Sequence, residues 1–187
     1  MKIPKREVTM SDTWTSISAP YVRPRAAGQQ DAWAEEAAQH GGTGRQALRE
    51  VAEIPAPADV AEALDVPAGQ PVVVRRRTIL FDEQPVELAD SYYPAAIARG
   101  TGLAESGKIR GGAVTLLADL GYQSRRVIED VCARPATESE RELLRLDEGE
   151  WVLVLTRVSA TAEGVPFEAA TMTMIARGRH MRYEMSV

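Results

Sequence analysis

Alternation and helical spacing divide the chain into short elements punctuated by glycine and proline. Residues 1 to about 18 are polar, with scattered Ser and Thr and no sustained period, which predicts an arm or the frayed end of a first strand. Asp31 to Gln39 combines Ala and Glu in helix-favouring density with Asp as N-cap, and the glycines from Gly41 to Gly44 stop it. Gln46 to Ile54 reads as a strand. Gly111 to Gly121 is a helix bracketed by glycines, with Val114, Leu117 and Leu120 on one stripe. Met172 to Met174 continues a strand, and Met181 to Met185 alternates as the last one. Between Gly100 and Gly112 lies a long glycine-rich loop, in a position where binding loops often sit.

Sliding the chain on itself exposes an internal repeat. At an offset of 80, residues 54–84 align without gaps to residues 134–164 with 9 identities in 31, including Pro55/Pro135, Leu64/Leu144, Gly69/Gly149, Val72/Val152 and Arg77/Arg157. Average residue usage gives about two by chance, so the copies are related. A one-residue slip then brings Pro85-Val86-Glu87 onto Pro166-Phe167-Glu168. Each copy, about 54–94 and 134–174, reads as a capped amphipathic helix, a Gly turn, a Val-rich strand, a turn and a second strand. Two α-β-β units predict an α+β fold: one antiparallel sheet of about six strands, covered on one side by helices.

Composition narrows the function classes. The chain has 187 residues, 44% hydrophobic and 26% charged, enough to bury a core, and a net charge of −5 opposes wrapping nucleic acid with the whole surface. One cysteine cannot make an internal disulfide, and no stretch has the apolar length of a secretory signal or a membrane span, so a cytoplasmic location is expected. His40 and His180 stand alone, which predicts neither a metal site nor a cofactor.

Several residues are candidates for chemistry. Arg75, Arg76 and Arg77 lie on a predicted strand, where alternation sends Arg75 and Arg77 to one face. They could fork onto a carboxylate or phosphate, or stay exposed and pair with Asp82, Glu83 or Glu87. Gly102 to Lys108 matches G-x-x-x-x-G-K, but Ile109 follows where a magnesium-binding hydroxyl belongs, and no hydrophobic strand leads in. The helix starting near Gly112 and Ala113 offers a generic anion site instead. Glu87 and Glu168 occupy equivalent repeat positions and could do acid–base work if they converge.

The segment from Val72 to Ile97 resembles the strand-turn-strand hallmark of UTRA domains, the effector-binding half of HutC-type regulators in the GntR family. Arg77 before the turn, Asp82 and Pro85 within it, and Ser91-Tyr92-Tyr93-Pro94 leaving the strand carry the likeness. The 111–122 helix segment, the second repeat copy, the Val165–Met172 segment and the closing residues 178–185 extend it over about 20–187. The resemblance implies a chorismate-lyase-like fold and a small-molecule sensor that acts as a homodimer, ahead of which residues 1–19 form an arm or linker remnant. It implies DNA contact only through a winged helix, for which about 20 preceding residues leave no room, so a stand-alone or truncated sensor is expected.

By position, Arg77 matches a pocket arginine of that family, Glu168 a pocket glutamate, and Arg179 the arginine of a terminal Asp-Arg-Tyr-like motif. The expected ligand-binding set is Arg75, Arg77, Glu87, Tyr92, Gly112, Ala113, Glu168 and Arg179, with Arg77 and Glu168 paired in the empty pocket. Ile79 and Gly112-Ala113 stand where sugar-phosphate sensors often carry a second arginine and a serine, which favours a less charged or more apolar effector. Two other functions compete: a chorismate-lyase-like enzyme using Arg77 and Glu168, and a modulator that heterodimerises with full-length regulators.

Overall fold

A computed structural model describes residues 14–26 and 28–185. The first repeat copy contributes β2 (Gly44–Pro55), α2 (Ala58–Ala63), β3 (Pro71–Phe81) and β4 (Gln84–Pro94). The second contributes β5 (Arg126–Pro135), α5 (Glu138–Leu144), β6 (Trp151–Ala160) and β7 (Pro166–Ile175). All six strands join one antiparallel sheet in the order β2-β3-β4-β7-β6-β5. The repeat persists at backbone level. Asp65 and Arg145 both have positive φ (51° and 57°), and Ala56 and Ala136 donate equivalent bonds to Gln70 and Glu150 at 2.9 and 3.0 Å.

The repeating unit is therefore β-α-β-β, one strand longer than the periodicity predicts. The missing member, β5, has no buried residue. A sheet-edge strand wet on both faces has no alternation to read.

Helices cover both faces of the sheet rather than one. Successive β3 residues point oppositely. Val72 and Val74 pack with α2, while Val73 packs with α3 (Ala95–Ala98) and α4 (Gly112–Asp119), and Ile79 with α1 (Ala32–Gln39). Asp31 caps α1 as expected, its Oδ1 accepting from Ala34 N at 2.9 Å. The buried stripe of α4 differs from the expected one: Ala113, Leu116 and Leu117 face the core, and Leu120 is exposed.

The final strand, β8 (Arg179–Arg182), starts earlier than Met181 and lies outside the main sheet, paired in parallel with β1 (Trp14–Ile17). Gly178, at φ 72°, turns the chain out of β7 toward Trp14, whose N–H bonds to the Gly178 carbonyl at 2.6 Å. Residues 1–13 of the expected arm lie outside the described residues. The rest of it contains β1, whose Trp14 is buried against Trp33 and Phe81.

One capping interaction carries a pH signature. Thr137 and Glu140 form a capping box at α5, and Arg134 grips both Glu140 oxygens at 2.7 Å. That bidentate contact holds the Glu140 carboxyl down at about 2, from an ordinary 4.5. A depressed carboxyl stabilises the fold above its unfolded value, and the contribution is lost as pH falls through the folded one. Glu140→Gln is expected to lower stability at pH 7 by about 1–2 kcal/mol, allowing for the partly exposed Arg134. In urea titrations the gap to the wild type should close between pH 4.5 and about 2.

Candidate functional site

A cavity of about 200 Å³ lies between the sheet, the start of α4 and the β1/β8 pair. Its floor is the face of β3, β4, β7 and β6 that alternation selects: Ala89, Ala170, Met172 and Leu155 at the centre, with Arg77, Glu87, Arg157 and Glu168 around them. Gly111, Gly112 and Ala113 close one side, and Ser16, Tyr21 and Arg179 another. A second cavity of about 510 Å³ shares Arg77, Tyr93 and Gly111–Ala113 with the first and extends toward Arg45 and Lys108.

The arginines of β3 have three different fates. Arg75, only 5% exposed, donates from Nη1 to the carbonyls of Gly102, Leu103 and Glu105 and from Nη2 to that of Gly107, at 2.7–3.1 Å. Four carbonyl acceptors engage its guanidinium, which gives Arg75 a loop-holding role; it borders the second cavity and not the first. The four carbonyls also show that the 102–108 stretch turns acceptors inward, the reverse of a phosphate-cradling loop. Arg76 points to the other face and pairs with Glu50 and Asp90.

Arg77 bonds only neutral groups, Gln46 Oε1 at 3.1 Å and Ser91 Oγ at 2.9 Å, and its Nε is buried without a partner. Among the described residues no carboxylate comes within ion-pair distance of it. The expected Arg77–Glu168 pair is thus absent: Glu168 Oε1 instead accepts from the Tyr93 hydroxyl at 2.9 Å. Burial, then the charge of Glu168, pushes the Tyr93 hydroxyl far up, so it stays a donor.

Glu87 and Glu168 share the cavity but do not converge. Glu87 pairs across the sheet with Met174, six residues along β7 from Glu168, a separation of about 20 Å. Burial pushes the Glu87 carboxyl up, against the pull of Arg179, Arg77 and Arg157. Tyr92 lies on the opposite face, packed with Val74 and α2, and takes no part in the cavity. Its neighbour Tyr93 faces the site, because β4 alternates and places Ser91 and Tyr93 on the Arg77 side.

Arg179 is also deeply buried, with a side chain 1% exposed. Nη1 donates to Ser16 Oγ at 3.0 Å, whereas Nε and Nη2 are buried without partners. The guanidinium lies 5.4 Å from the Trp14 ring. Its nearest carboxylate, Glu36 at 3.9 Å, already accepts from Trp14 Nε1, Ser16 Oγ and Tyr21 OH at 2.6–2.7 Å.

Of the expected residues, the cavity gathers Arg77, Glu87, Gly112, Ala113, Glu168 and Arg179. Sequence reasoning missed Ser91 and Tyr93, which parity with Arg77 across the hairpin could have found, and Arg157, the repeat mate of Arg77. Arg157 is committed to Glu129 at 2.5 Å. Ser16, Tyr21 and Glu36 left no local signal. Among the described residues no cluster of three or more His, Cys, Asp or Glu could hold a metal, and no helix is long and apolar enough to cross a membrane.

With the geometry in hand, comparison with known proteins is direct. Residues 40–177 match the UTRA domain family. An HTH-type transcriptional regulator of Streptomyces coelicolor is 35% identical over 123 residues, covering 64% of this chain and 46% of its own length. Another, of Rhizobium meliloti, is 33% identical over 151 residues, covering 76% and 61%. The chain thus spans about half the length of the curated relatives it matches. The effector domain of PhnF from Mycobacterium smegmatis superposes with a TM-score of 0.71 at 22% identity, covering 88% of this chain and 99% of that one. The ligand-binding domain of a GntR-family transcriptional regulator from Bordetella bronchiseptica gives 0.65 at 25% identity, covering 76% and 92%. A match over most of the chain, on the strands and helix that build the cavity, makes this chain a member of the UTRA domain family.

Proposed function

We propose that this chain is the effector-binding and dimerisation domain of a GntR/HutC-type transcriptional regulator, taking a small anionic metabolite in the cavity above the sheet. Arg77 carries the reading: its buried Nε lacks a partner, no carboxylate lies within ion-pair distance of it among the described residues, and it lines the same cavity as the start of α4. A half-buried guanidinium with a free donor is completed by an anion, and the first N–H groups of a helix are free to help. The printed descriptions of the two solved neighbours, an effector domain and a ligand-binding domain, support the same assignment. The acid–base alternative loses its geometry, because Glu87 and Glu168 stand at opposite ends of the site.

Signal output follows from population shift. An effector that prefers one dimer arrangement changes the separation of DNA-binding heads, attached or carried by a partner. β5 is the edge we assign to the second copy. It exposes Val127, Ile128 and Val131. The opposite edge, β2, instead carries Arg45, Arg49, Glu50 and Glu53, each in an ion pair. β5 carries charge too, in Arg126, Glu129, Asp130 and Arg134, so what sets it apart is its three exposed aliphatic side chains. Exposed apolar residues along a free edge are ones that a second copy would cover.

Three outcomes are expected. In a thermal-shift screen of metabolite acids, at least one should raise the wild-type melting temperature, and Arg77→Ala should abolish that rise. An unchanged rise in the variant would sink the assignment of Arg77. Ile128→Lys with Val131→Lys should convert a dimer to a monomer by sedimentation without altering the circular dichroism spectrum. Incubation with chorismate should release no 4-hydroxybenzoate above the uncatalysed rate.

A further inference from the structure

Effector binding at Arg77 leaves Arg179 unexplained. The Nε–Nη2 edge of Arg179 is the side-on fork that a carboxylate or phosphate meets with two parallel hydrogen bonds, and both atoms are buried and unpartnered. Its third nitrogen is held by neutral Ser16. Glu36 cannot turn to the fork without releasing Trp14, Ser16 and Tyr21, which fix β1 and the following turn to α1. A guanidinium this deep is not a solvated surface charge, and its one long ion pair with Glu36 leaves two buried donors unmet, which is costly.

Arg179 and Arg77 reach the cavity from different structures. Arg77 stands on the main sheet, and Arg179 enters from the separate β1/β8 pair. The floor they share carries the apolar side chains of Ala89, Ala170, Met172 and Leu155. Glu87 lines the same cavity and makes no hydrogen bond or ion pair among the described residues; burial pushes its carboxyl up, against the pull of Arg179 and Arg77. Two guanidiniums with free donors, in a cavity whose floor carries apolar side chains, form a complementary mould for a molecule acidic at both ends.

We propose that the effector is a diacid with an apolar spacer, one acidic group seated on Arg77 and the start of α4 and the other held by the Nε–Nη2 fork of Arg179. This rests on the effector-domain reading and specifies its ligand class. It also revises the expectation drawn from Ile79 and Gly112-Ala113. The second cation that β3 lacks is supplied from β8, so the apolar character belongs to the middle of the ligand and not to its ends.

Calorimetry on the full chain tests this with α,ω-dicarboxylates from succinate to suberate and terephthalate, each beside its monoacid and its monoamide. At least one diacid should bind about tenfold or more tightly than its matched monoamide. Arg179→Gln should remove that preference while leaving monoacid affinity within about twofold. Arg179→Lys, which keeps the charge and loses the fork, serves if the first variant does not fold, and should lose most of the preference. Monoacids and monoamides binding as tightly as the diacids would overturn the two-ended ligand and leave the effector reading standing. If no acid of either kind binds, both readings fall.

Discussion

The fold depends on the antiparallel pairing of β4 with β7, the one ladder through which the two repeat copies hydrogen-bond to each other. Each copy alone is a three-stranded sheet with a single short helix. Pairing at the middle makes a six-stranded sheet whose centre is sheltered on both faces. The register is decisive because side chains alternate with a period of two. A slip of one residue would turn Ala170 and Met172 from the cavity floor to the α2/α5 face. In the observed register Asp90 opposes Thr171, and an offset of 81 relates these same two positions. The pseudo-twofold axis therefore passes between them, and residues equivalent by repeat fall on opposite sides of it.

That geometry explains why related residues have unrelated jobs. Glu87 and Glu168 are equivalent, yet the axis places them at opposite ends of the cavity. Arg77 and Arg157 are equivalent and both line it, but Arg157 meets Glu129 from the neighbouring edge strand while Arg77 meets only amide and hydroxyl. The asymmetry is chemical rather than architectural. The duplicated scaffold provides two symmetry-related basic positions, and a single acidic residue neutralises one of them.

A second asymmetry comes from the segment between the copies. Arg75 gathers four carbonyls of the 102–107 loop, and that anchoring sets where the chain re-enters as α4. Burial lowers the tendency of Arg75 to hold its proton, yet its ordinary value is so high that it stays charged and binds carbonyl dipoles. Nothing comparable occupies the other half, where β1 and β8 close the cavity and carry Arg179. The cavity is thus bounded by a loop and helix start on one side and a small parallel ribbon on the other.

Much of this was legible in the sequence because it is encoded locally. The offset of 80, the α1 cap at Asp31, the helix after Gly111 and the α+β class follow from spacing and turn residues that neighbours in the chain enforce. What tertiary structure alone decided depends on partners distant in sequence. β5 pairs on one side only and leaves no burial pattern. Tyr92 and Tyr93 are chemically identical, and strand parity chooses between them. Whether Arg75, Arg77 or Arg179 keeps free donors depends on which acceptors come within about 3 Å, since a guanidinium takes any acceptor that packing delivers. The sequence determined which charges the chain carries, and the packing of β8 against β1 and of the loop against β3 decided which of them keep donors without partners.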